Sequence, residues 1–105
     1  MKFIISESKL NSIVFDYLNS QNFYKMSYAW GFVFWDSRES KESGGNILIV
    51  TNRQNKDCFV DSDLVVKVAS FFALDLETAL NIIGEWVKTK INFDLDYINS
   101  DYGSD

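Results

Sequence analysis

The chain has 105 residues, 47% of them apolar and 16% aromatic, with ten basic against fifteen acidic side chains, no histidine and one cysteine. That length suits a single domain that buries roughly two-thirds of its unfolded surface without staples, and the missing histidine excludes Ser-His and Cys-His nucleophiles. A formal charge of −5 argues against direct binding of nucleic acid, whose backbone is gripped by Lys and Arg displacing counterions.

Met1 to Ile5 offers only three consecutive apolar residues before Glu7, too few for a secretory leader, and Phe3-Ile4-Ile5 reads as a short strand or tether. Ser6 is a helix cap, and Leu10, Ile13, Val14, Tyr17 and Leu18 recur at helical spacing, which predicts an amphipathic helix over about residues 7 to 19. Asn19 to Asn22 lacks periodicity and ends it.

From Tyr28 to Trp35 the chain is continuously apolar, far short of the ~20 residues that cross a bilayer, so no membrane partner is expected. Alternation puts Tyr28, Trp30, Phe32 and Phe34 on one face of a strand and Ala29, Gly31, Val33 and Trp35 on the other, which suits a strand covered on both sides. Gly31 marks a bulge or a close approach. Ser37 to Asn46 is polar and glycine-terminated, a mobile loop. Ile47 to Thr51 and Cys58 to Val60 complete a three-stranded antiparallel meander with strands at about 27 to 36, 46 to 51 and 57 to 60.

Asp61 or Ser62 opens a helix through about Phe72, with Leu64, Val65, Val68, Phe71 and Phe72 on one side. A tight corner at Ala73-Leu74 leads into the best-specified element, Asp75 to Ile91. Its apolar stripe is Leu76, Ala79, Leu80, Ile83, Trp86, Val87 and Ile91; Asp75 caps it, Glu77 lies at its positive end and Lys88 and Lys90 at its negative end. The two helices form a hairpin-like unit whose aromatic edge, Phe71, Phe72 and Trp86, is expected on the sheet. Phe93, Leu95 and Tyr97 then alternate with Asp94 and Asp96, a half-buried strand that either joins the meander or pairs with another chain, including a second copy. The fold class is therefore α+β: a small, mainly antiparallel sheet, with possible terminal strands, packed by an N-terminal helix and a two-helix C-terminal unit. Residues 1 to 98 form the domain, and 99 to 105 a polar, acidic tail.

Little in this chain is equipped for chemistry, and no cofactor or metal is expected. Cys58 has no internal disulfide partner, pointing to a reducing compartment, and reads as a small inert residue because only Lys56 nearby would favour a thiolate. Asn92 to Asp96 begins like a calcium loop but has Tyr97 and Gly103 where the required Gly and Glu would stand. The Tyr28, Trp30, Phe32, Phe34 row resembles a base-stacking platform, yet core packing accounts better for a row without a basic rim. Gly44-Gly45 precede a strand, not a helix, so they make no phosphate loop.

Two passages, KFIISESKL (Lys2 to Leu10) and FFALDLETALNIIGEW (Phe71 to Trp86), together resemble small uncharacterised proteins encoded by tailed bacteriophages and environmental viruses. The resemblance covers about a quarter of the chain and implies a virion component, or an accessory protein acting in the host cytoplasm. Residues 1 to 52 carry five basic and five acidic groups and residues 53 to 105 five and ten, so the second half holds the whole net charge. The expectation is a non-enzymatic protein-interaction module whose partner, a virion or host protein, meets Asp57, Asp61, Asp63, Phe93, Asp94, Leu95, Asp96 and Tyr97. The alternative is an acidic inhibitor that uses these carboxylates to fill the basic, nucleic-acid-binding groove of a host enzyme.

Overall fold

The structure, a computed structural model, describes residues 7–44, 47–92 and 95–100, apart from the side chains of Glu7, Ser8 and Ser40. The expected strand at Phe3 to Ile5 and the candidates Phe93 and Asp94 lie outside the described residues. In chain order the elements are α1 (Glu7–Ser20), β1 (Tyr24–Tyr28), β2 (Gly31–Trp35), α2 (Arg38–Glu42), β3 (Ile47–Asn52), β4 (Asp57–Val60), α3 (Ser62–Phe72), α4 (Leu76–Ile91) and β5 (Tyr97–Ser100). One five-stranded sheet runs β1-β2-β3-β4-β5, antiparallel except for the parallel β4–β5 pair. The α+β class and the mainly antiparallel sheet are as expected.

Helix α4 follows its sequence signals closely. Asp75 caps it, its carboxylate accepting the Thr78 amide at 2.7 Å, and the Thr78 backbone and side-chain hydrogen bonds hold the Asp75 carboxyl below the usual carboxylate range. Its buried stripe includes Ala79, Leu80, Ile83, Trp86, Val87 and Ile91. The corner before it turns on Ala73 in the left-handed region (φ 54°, ψ 48°), with the Leu74 amide donating to the Ala69 carbonyl.

The core lies between one face of the sheet and α1, α3 and α4. Phe32 and Phe34 from β2, Ile49 from β3 and Cys58 and Val60 from β4 meet Val14 and Leu18 of α1, Val65 and Val68 of α3 and Ile83 and Val87 of α4. Trp86 anchors this layer: its ring lies 5.7 Å from Phe34, and its indole N–H donates to Asn19 Oδ1 at 3.0 Å, tying α4 to α1.

Four expectations change. The apolar run from Tyr28 to Trp35 is a hairpin, not one strand: β1 pairs with β2 across the two-residue turn Ala29-Trp30. Alternation resumes after the turn in the opposite phase, so Phe32 and Phe34 face the helices while Trp30 does not. The segment 37–46 contains a short helix, α2, with an Arg38–Glu42 ion pair of 3.5 Å. At the end of α3, Phe71 packs on Tyr17 of α1 (4.9 Å) and is 66% exposed, so of the expected aromatic edge only Trp86 has a described ring contact with the sheet. Lastly, the final strand is Tyr97–Ser100, with Leu95 and Asp96 outside it, and it takes Asn99 and Ser100 out of the expected tail. A parallel ladder is bonded through the backbone, and Ile98 is the side chain by which this strand packs against the core.

Candidate functional site

The helices cover one side of the sheet, and alternation sends a second set of side chains to the other. From β1 these are Tyr24, Met26 and Tyr28, from β2 Val33 and Trp35, from β3 Val50 and, paired with Trp35 past a register shift, Ile47, from β4 Asp57 and Phe59, and from β5 Tyr97 and Asn99, as the pairings Met26↔Val33, Val33↔Val50, Val50↔Phe59 and Phe59↔Asn99 require. Local contacts order part of this face: Tyr24 donates to the Met26 sulfur at 3.2 Å, Tyr28 and Trp30 stack at 5.2 Å with planes 4° apart, and Lys41 of α2 stands over the Trp35 ring. Val33 and Trp35 are buried by their neighbours, but Trp30 and Phe59 are each 48% exposed, Ile47 44% and Tyr97 64%. Single exposed apolar residues are ordinary, whereas several large ones gathered on one sheet face mark an interaction surface.

The eight residues expected to meet a partner do not form one surface. Asp57, Asp96 and Tyr97 do come together: Asp57 pairs with Tyr97 across β4 and β5, and the Asp96 amide donates to the Lys56 carbonyl at 2.7 Å. Leu95 is removed from the surface, since it is buried in the core. Asp61 lies beyond the far end of β4, about 13 Å of strand from Asp57, and Asp63 lies on α3, lining a helix-side hollow with Tyr17, Asp36 and Lys67. The acidic residues are thus divided between two ends of the sheet, and the apolar face between them supplies the residues that sequence reasoning missed, Trp30, Ile47 and Phe59. Period-two alternation at Phe59 was readable, but its outward direction depended on knowing which face the helices cover.

The one thiol is not activated by this geometry. Cys58 is buried, and burial together with the neighbouring Asp57 charge pushes its thiol up to about 12. Among the described residues no group of three or more thiol and carboxylate side chains is placed to hold a metal ion, and no helix is long and apolar enough to cross a membrane. The fold and site define a two-layer α+β protein with one sheet face left largely uncovered by the described residues. No protein-family model, curated protein or solved structure matches the chain.

Proposed function

We propose that this protein is a non-enzymatic protein-interaction module that receives its partner on the open face of the sheet. The observation carrying the reading is the exposure of Trp30, Ile47, Phe59 and Tyr97, with Asp57 and Asp96 as a charged rim beside them. Aromatic centres with polar rims are what energetically dominant interface residues look like. The absence of histidine and the inaccessible Cys58 thiol leave little with which to build an acid–base or nucleophilic site, in keeping with a binding role. The phage-like passages Lys2 to Leu10 and Phe71 to Trp86 favour a virion or host protein as the partner, and hence the host cytoplasm or the particle as the place of action.

The test is capture from lysate of the native host or from purified virions, using the wild-type chain and the variant Trp30→Ser, Phe59→Ser, Tyr97→Ser side by side. A stoichiometric partner held by the wild type and lost from the variant is the expected result, with both proteins melting cooperatively. A partner held equally by both would place the contact elsewhere and overturn the reading.

A further inference from the structure

Behind β1, on the helix side of the sheet, a hollow of about 290 Å³ opens between the end of α1, β1 and the last turns of α4. Phe23, Phe34 and Trp86 supply its aromatic wall, the Phe23 ring standing edge-on to Trp86 at 5.9 Å. Its charged residues are Lys25 and Lys90. The Lys25 ammonium donates to the Lys90 carbonyl at 3.3 Å, and the Lys90 ammonium stands 5.7 Å from the Trp86 ring centre. Arg53 adds a third cation, sharing the Phe32 ring with Lys25 at 5.0 and 5.6 Å.

Lys25 and Lys90, far apart in sequence, thus meet at the hollow, and Arg53 stands on the adjoining Phe32 ring, in a chain of net charge −5. None of the three makes a salt bridge among the described residues. Other hollows of similar size are lined by carboxylates, Asp36 and Asp63 in one and Glu85 in another; this one is not. Lys25 is also out of pattern, a charged residue on the sheet face that elsewhere presents Phe32, Phe34, Ile49 and Val60 to the helices.

We propose that this hollow binds a small planar organic anion, a carboxylate attached to an aromatic or conjugated body. At about 30 Å³ for each water-sized unit the space holds on the order of ten, room for a ring with a carboxylate. The apolar body lies on the Trp86 and Phe34 wall, and the carboxylate sits between the Lys25 and Lys90 ammonium groups. One Lys25 proton given to the Lys90 carbonyl leaves two for the ligand. Ring contact and charge are both required, so a neutral analogue and a ringless anion should each bind poorly. The site is on the opposite side of the sheet from the proposed partner surface and does not depend on it.

Nuclear magnetic resonance on the full chain tests this, because each of Trp30, Trp35 and Trp86 gives its own indole N–H signal and only Trp86 lines the hollow. Sodium benzoate, benzyl alcohol and inorganic phosphate are titrated separately at low salt, up to about 10 mM, where millimolar binding saturates. Benzoate should shift the Trp86 indole saturably while Trp30 and Trp35 stay in place, with the alcohol and phosphate far weaker. In the variant Lys25→Gln, Lys90→Gln the benzoate affinity should fall about fivefold or more, the combined effect of two exposed ion pairs. A Trp86 signal that stays still, an alcohol as effective as benzoate, or a folded double variant with unchanged affinity would overturn the proposal.

Discussion

Thr51 is the buried polar side chain among the described residues, and its place explains why the middle of the sheet tolerates it. Its hydroxyl accepts the Phe32 amide at 3.0 Å and lies 3.4 Å from the Phe32 carbonyl, occupying both backbone groups of its cross-strand neighbour. Thr51→Val keeps the shape but removes the hydroxyl's hydrogen bond to the Phe32 amide, so urea denaturation should show a loss of about 0.5–1.5 kcal/mol, with Thr51→Ser recovering much of it. One pair along the ladder, Gly31 cannot be replaced for a different reason: a Cβ there would run into the Thr51 carbonyl. Cys58 gives a prediction in pH. Its folded thiol, at about 12 against an ordinary 9.0, holds its proton more tightly than the unfolded one does. The stability that this brings is whole below pH 9 and drains away as pH rises toward 12. Unfolding free energies for wild type and Cys58→Ala should therefore converge across that window, and curves that stay parallel would show that the thiol is not shielded as described.

At the level of elements, the most informative contact is between α4 and β5. Gly84 sits in the interior of α4, where glycine costs about 1 kcal/mol relative to alanine, and a Cβ at this position would overlap the Ile98 side chain. The glycine is therefore a socket for β5. Gly84→Ala should lower the melting temperature despite its better helix propensity, and adding Ile98→Ala should return part of the loss; additive effects in this double-mutant cycle would break the link. By the same contact, deletion of residues 92 to 105 removes Leu95 and Ile98 from the core side and exposes the flank of β4, so a broadened, lower melting transition is expected. The sequence showed a glycine inside the helix and an isoleucine just after Tyr97, but nothing local connected them.

On the scale of the whole molecule, charge and apolar surface are arranged differently from their order in the chain. Counting by halves located the excess carboxylates correctly, but folding sends Asp57 and Asp96 to one end of the sheet and Asp61 and Asp63 to the other, while Lys25, Arg53 and Lys90 converge around Phe32 and Trp86. If the partner rests on the apolar face, the complex captured by the wild-type chain should survive a rise from low salt to about 0.5 M, where exposed charges are strongly screened. Its loss under those conditions would favour the acidic-inhibitor reading instead. By itself the sequence determined the helices α1, α3 and α4, the cap at Asp75, strands β3 and β4 and the α+β class, because periodicity and capping act over a few residues. The tertiary structure alone decided that Tyr28 to Trp35 turns at Ala29-Trp30, that β5 runs parallel beside β4 on the Gly84 socket, and which face of the sheet the described helices pack on. Those outcomes depend on which surfaces meet across the chain, and a pattern that alternates equally well on both faces carries no sign of which one the helices will take.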